Sequence, residues 1–333
     1  METERQDIYS LVALSSTPST ALSNEEFSEA AAASLCLPSP ACQDRVGEVI
    51  NGRGRKEIDM YGDNIQSTCL KGDHWRQRHD QIKLAIYRLC MWAGIPVEME
   101  VFNLFSGLIP QQGLARIDRD RQRQSMVPDF RITLPWEGRP RPVLHELKVI
   151  SCSKTRYKPT MVDRAVDKRA GQLHREYQEK ARKTDRNFGG VEEGRIGPVE
   201  NKLLSFPTVQ GIVFGSFGEA SEAVHSLVEI LATSRVRVAG PQKGRRGMVR
   251  SEEGEKSIAV GYIRRTLSLA GIRAQSHSLL GRLEGLGRGV TAAMGRRNEA
   301  LQLERVWHRE RKASALSLRN GVNILRRGFA QLN

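Results

Sequence analysis

The sequence predicts an α/β protein, with helices layered on a central sheet and a basic helical C-terminal extension. Three observations lead there. Residues 74–235 alternate between apolar periods of about 3.6 and two residues, in the order helix, strand, strand, strand, helix, strand, helix. The chain has 333 residues, 39% of them hydrophobic and 27% charged. At roughly 100–200 residues per domain this accommodates two domains or one with tails, and it is too apolar for disorder throughout. Charge is also unevenly placed. Residues 1–50 hold 8 acidic and 2 basic residues, and 242–333 hold 19 basic and 7 acidic, within an overall formal charge of +14.

Taken in order, residues 1–55 read as an acidic, mostly disordered leader rich in Ser, Ala, Thr and Pro, with a short helix near Glu25–Leu35. Trp75, His79, Ile82, Ile86, Leu89 and Ala93 recur every three or four residues, one face of a helix that Gly94 and Pro96 terminate. Val97–Phe105 is the first strand, and Ser106–Val127 is a polar loop. Pro128–Leu134 is the second strand, with Phe130, Ile132 and Leu134 on one face. A turn at Gly138-Arg139-Pro140 leads to a third strand, Pro142–Ser151. Val162–Asp185 is a highly charged helix. Thr208–Phe217 is a fourth strand whose continuous apolar run suits burial on both faces, and Glu219–Ser234 is an amphipathic helix. The tail reads as helical pieces broken by glycines, such as Ile258–Leu269 and Glu299–Leu325. The expected division is a leader over 1–55, an α/β domain over 74–235 and a basic helical extension over 242–333.

Several classes are disfavoured at once. No run approaches about 18 apolar residues, so no membrane span is expected. The first 30 residues carry acids and no long apolar core, unlike a secretory signal. Five scattered cysteines without a Cys-x-x-Cys pair argue against a disulfide scaffold or a zinc ribbon. The expected compartment is therefore reducing, nuclear or cytoplasmic. A large positive excess suits a polyanion such as nucleic acid.

The strongest local pattern is Val127-Pro128-Asp129-Phe130 followed by Leu144-His145-Glu146-Leu147-Lys148. Strand alternation puts Glu146 and Lys148 on one face and Leu147 on the other. If the second and third strands pair through the intervening turn, Asp129 and Glu146 converge at one end of the sheet. Two carboxylates so gathered suit a hard cation such as Mg²⁺ or Mn²⁺, which takes one or two carboxylates together with phosphate oxygens. The same residues would also serve as an ordinary strand-edge salt bridge. A second string, Asp185 with Glu200-Asn201-Lys202, lacks strand alternation and is set aside.

This order of elements, with Pro-Asp at the second strand and Glu-x-Lys on the third, resembles the PD-(D/E)xK, restriction-endonuclease-like nuclease superfamily over about residues 75–235. More loosely, Arg78-His79-Asp80 and the following Ala93-Gly94 resemble nuclease-like segments found after reverse transcriptases in retroelements. The resemblance implies a central mixed sheet flanked by helices and metal-dependent hydrolysis of phosphodiester bonds, in DNA as first choice. It implies Asp129 and Glu146 as metal ligands, with the Leu147 carbonyl as a third, and Lys148 as the catalytic lysine. Where many members carry an acid on the first helix, this chain offers His79, as a metal or phosphate contact or as a half-buried packing residue. Some exonuclease-like branches carry Gln-x-x-x-Tyr after the lysine; here Gln172 and Tyr177 stand one residue further apart.

Lys168, Arg169 and Arg175 on the charged helix, and Arg264, Arg265, Arg296 and Arg297 in the tail, are candidate phosphate contacts; each is equally a solvated surface charge. Two further readings stand beside the nuclease. One is a catalytically inactive nuclease-like fold that binds nucleic acid. The other is a helical interaction protein whose basic residues meet an acidic partner.

Overall fold

A computed structural model of the chain describes residues 22–35, 37–50, 56–68, 74–102, 104–105, 107–108, 126–136, 139–150, 165–216, 218–240 and 251–287. Arg296, Arg297, Trp307 and most of the expected 106–127 loop lie outside them. The elements are α1 (Asn24–Ser34), a 3-10 helix (Pro40–Arg45), α2 (Asp63–Ser67), α3 (His74–Trp92), β1 (Val97–Met99), β2 (Phe130–Trp136), β3 (Arg139–Val149), α4 (Ala165–Gly189), α5 (Pro198–Leu204), β4 (Gln210–Phe214), α6 (Glu222–Ala239) and α7 (Glu252–Gly287). The fold is mixed α/β, with a four-stranded mixed sheet in the order β1-β2-β3-β4 flanked by helices. The strands β1, β2 and β3 form an antiparallel meander. The parallel character comes from β4 beside β3, reached through the long connection containing α4 that a parallel neighbour requires.

The chain divides into two compact units: residues 1–93, 147–170 and 212–300, and residues 94–146, 171–211 and 301–333. In the second unit α4 turns an apolar stripe inward, Leu173, Tyr177, Ala181 and Phe188. It forms one core with Val101, Leu104, Met126, Leu144, Val199, Leu203 and Val209. Spacings of four, four and seven keep these side chains on one helical face. Asp185 and Glu200, the string set aside on sequence, serve this unit structurally. The buried Asp185 carboxylate accepts the Val199 and Glu200 amides at 3.0 and 2.9 Å, satisfying two N–H groups at the start of α5. Glu200 accepts from Arg182 Nε at 2.7 Å.

The first unit corrects two expectations. In the leader, α1 stands where a short helix was expected, and the 3-10 helix Pro40–Arg45 with its buried Cys42 adds structure where disorder was expected. Helix α1 opens on a capping box in which the Ser23 hydroxyl accepts from Glu26 N–H and the Glu26 carboxylate accepts from Ser23 N–H. Beyond it, Cys42, Ile50, Ile58 and Ile65 bury against Leu279 and Leu283 of α7. The buried Arg282 guanidinium donates to the carbonyls of Ile65, Gln66 and Thr68 at 2.7–3.0 Å, satisfying the C-terminal end of α2. Asp59 accepts the amides of Tyr61, Asp63 and Asn64 at the other end.

The second correction concerns the expected glycine breaks: α7 is one helix of 36 residues. Each interior glycine costs about 0.5–1 kcal/mol relative to alanine. The buried Ile263, Leu267, Ile272, Leu279 and Leu283 each return about 1.5–3 kcal/mol against α1, α2, α3 and α6, so packing overrides propensity.

Two glycines should respond in opposite directions to alanine. Gly62 has φ +73°, and an added Cβ would lie 2.9 Å from Leu279 Cδ1 and 3.2 Å from Cys42 Sγ, whereas Gly261 is helical with nothing within 4 Å. Gly62→Ala is expected to lower unfolding stability by more than about 1 kcal/mol, and Gly261→Ala to raise it by about 0.5–1 kcal/mol. Urea titration of both variants checks the pair; equal shifts of one sign would contradict the assignment.

Candidate functional site

The site begins with strand register. In the antiparallel pairing of β2 with β3, Phe130 faces His145, Arg131 faces Leu144 and Ile132 faces Val143. The ladder ends at Phe130 opposite His145, so Asp129, the residue before β2, and Glu146, the residue after His145, both lie just beyond that end. The pairing through the hairpin that the sequence suggested is therefore present. Both carboxylates are buried, each 8% exposed. Their neighbours in the ladder, Phe130, Ile132 and Leu144, are fully buried and fix the strands' facing.

Tyr177 lies over the pair from α4. Its hydroxyl donates to Glu146 Oε2 at 2.7 Å. Burial, then the charge and hydrogen bond of Glu146 and the charge of Asp129, holds the phenol's pKa well above its ordinary value. Tyr177 thus stays neutral and donates. The sequence offered this residue only through the imperfect Gln172/Tyr177 spacing; its place on the inward stripe of α4 was the better signal.

The mainchain beside Asp129 is held from β1. Asp129 accepts from the Glu100 amide at 2.9 Å, and Pro128 accepts from the Val101 amide at 3.1 Å. Glu100 has φ +50°, a left-handed backbone that non-glycine residues seldom adopt, and it ends β1 at Met99 rather than at the expected Phe105. The register of β1 with β2 ends at Met99 opposite Phe130. Among the described residues, no group of three or more His, Cys, Asp or Glu side chains gathers in a metal-holding arrangement.

Further along β3, Leu147 is fully buried and Lys148 and Val149 are half-buried. The Leu147 carbonyl meets His79 Nε2 of α3 at 3.2 Å, and His79 Nδ1 meets Asp80 Oδ1 at 3.2 Å. Through Nε2 the ring is a contact from α3 to the β3 mainchain, and its other nitrogen is taken up by Asp80. The Leu147 carbonyl, expected as a third ligand, already accepts from this ring. Asp80 is further engaged by Arg76 at 3.6 Å and by the buried Lys83 at 3.5 Å.

The basic candidates are scattered. Lys168 and Arg175 are exposed on α4, and Arg169 is half-buried there. Arg265 is exposed on α7 and Arg264 half-buried. No described helix is long and apolar enough to cross a membrane. Comparisons with models of protein families, with curated protein sequences and with solved structures return no match.

The ring of His145, 2% exposed, shares its nitrogen Nδ1 with the Val143 carbonyl at 3.1 Å, and burial lowers its pKa to about 4. The unfolded imidazole titrates near 6.5. The neutral ring's contribution is complete above about pH 6.5 and is lost as pH falls towards 4, on the order of 3 kcal/mol in all. Urea midpoints between pH 7 and 4.5 should fall less in His145→Gln than in the wild type. Parallel pH profiles would assign the loss to other groups. Tyr177→Phe should cost about 1–3 kcal/mol by the same titration, because it strips a donor from a buried carboxylate. An unchanged midpoint would argue that Glu146 has replaced that donor.

Proposed function

We propose that the protein is a metal-dependent nuclease that hydrolyses phosphodiester bonds, with DNA as its substrate. One observation carries the reading: Asp129, just before β2, and Glu146 on β3 are both buried, and Glu146 accepts from a tyrosine that keeps its proton. Carboxylates gathered away from water suit a hard cation.

The donor set fits Mg²⁺ or Mn²⁺. These are hard cations that accept one or two carboxylates, leaving other positions for water and phosphate oxygens. When bound, such an ion polarises the phosphate and acidifies its water. The chain's own residues supply the rest. Asp129 and Glu146 would hold the ion through their carboxylates. Tyr177 fixes the orientation of Glu146 by donating to Oε2. Lys148, two residues beyond Glu146 on the same strand face, orients the attacking water and stabilises charge growing on the phosphoryl oxygens. His79 secures the Leu147 mainchain between these two side chains. The +14 charge draws the polyanion in. The superfamily resemblance in the order of elements supports the same reading.

The alternative is a nuclease-like fold that binds nucleic acid without cutting. It is favoured by one observation: the first-helix position offers a histidine whose nitrogens both face oxygens, rather than an acid.

Supercoiled and linear DNA with Mg²⁺ or Mn²⁺ distinguish the two. The wild type should cut and EDTA should stop it. Glu146→Ala and Lys148→Ala should each lose at least about a hundredfold in rate, the scale of removing one preorganised charge-stabilising group, while still binding DNA. Cutting at the wild-type rate by Glu146→Ala would overturn the nuclease. Salt-dependent binding with no cutting by any form would establish the alternative.

A further inference from the structure

We infer that Tyr262, with Trp92, Arg235 and Arg265, forms a stacking platform for single-stranded nucleic acid within the helical unit. The inference rests on the proposal that nucleic acid is the chain's polyanion, and it adds a site and a strand preference that the carboxylate pair does not supply.

The platform is assembled from three helices. Trp92 closes α3, and its indole lies against the Tyr262 ring of α7 with centroids 4.7 Å apart and planes inclined at 38°. The Arg235 guanidinium of α6 sits 4.9 Å over the indole and donates to the Trp92 carbonyl at 3.3 Å. Arginine, indole and phenol thus brace one another, and a braced ring needs little ordering before a base lies on it. Tyr262 nonetheless remains 48% exposed. On α7, Ile258, Tyr262 and Arg265 follow at i, i+4 and i+7, one exposed line in which Ile258 is 52% exposed. Gly261 adds no side chain beside the ring, and nothing lies within 4 Å of where its Cβ would be. One turn beyond Arg235, Val238 is 61% exposed.

Charge selects the occupant. Arg265 follows Tyr262 by one helical turn, about 5–6 Å between Cβ atoms, the reach needed to meet a phosphate flanking a stacked base. Arg237 is exposed on α6. The nearby acids fall at the other end of the line: Glu252, Glu253 and Glu255 open α7, and Glu229 pairs with Lys256 at 3.0 Å. An exposed aromatic flanked by arginines suits an unstacked base and its phosphates. Duplex bases keep their faces against one another and offer none to the ring.

The test uses the full chain in EDTA, so that cleavage plays no part. Fluorescence anisotropy of a labelled oligothymidylate and of a labelled duplex is read for the wild type, Tyr262→Ala, Tyr262→Phe and Arg265→Gln. Loss of one stacking ring, about 1–3 kcal/mol, corresponds to about five- to 150-fold weaker single-strand binding by Tyr262→Ala. Tyr262→Phe should bind as the wild type does, and duplex affinity should not move. Arg265→Gln should flatten the salt dependence for the single strand by about 0.7 in log–log slope. Single-strand affinity unchanged in both Tyr262→Ala and Arg265→Gln overturns the platform. So does unchanged binding accompanied by altered self-association in light scattering, which would give this face to a second copy of the chain. If Tyr262→Ala fails to fold, Arg265→Gln, at an exposed position, decides alone. A chain that binds through Tyr262 yet never cuts DNA with metal present would keep the platform and remove only the nuclease.

Discussion

The register of one hairpin governs the chemistry available to this protein. Fully buried Phe130 and Ile132 on β2, with Leu144 on β3, permit only one alignment of the two strands, because a slip of one residue would turn every core side chain to the opposite face. That alignment brings Asp129 and Glu146 to the same end of the hairpin, both buried. The apolar core thus decides where the two carboxylates come together.

The surrounding structure supports the pair from two sides. From the core side, α4 carries Tyr177 in the stripe that also packs Leu173, Ala181 and Phe188, so the residue that orients Glu146 is anchored by the same contacts that hold the helix. From the mainchain side, the Glu100 and Val101 amides hold the carbonyls of Asp129 and Pro128. The local left-handed backbone at Glu100 marks where β1 gives way.

The helical unit follows a different logic. A short polar stretch, 37–68, holds little apolar surface of its own and gains stability by docking Ile50, Ile58 and Ile65 on α7. Its turns are satisfied by Asp59 and Arg282 rather than by long helices or strands. The thiols of Cys42 and Cys90 are buried in this unit, and burial pushes the Cys90 pKa up to about 12. A thiol so placed has no thiolate to offer at neutral pH, and its role is packing.

Period-two and 3.6-residue patterns were legible in the chain wherever apolar residues alone define a face. They gave α3, the β2–β3 hairpin, β4 and α4 to within a few residues, and strand alternation put Glu146 and Lys148 together. The short helix at 24–34 was expected near Glu25–Leu35. Three features required the tertiary structure. Helix α7 runs through its glycines because five buried aliphatic side chains outweigh local propensity. Ile50, Ile58 and Ile65 are buried because α7 supplies the apolar surface they pack against. The clamp from His79 to the Leu147 carbonyl, and the hydrogen bond from Tyr177 to Glu146, join residues 68 and 31 positions apart in sequence. Sequence patterns report which face of an element is apolar. They do not report which distant element will cover it, because that depends on the summed packing of the whole chain.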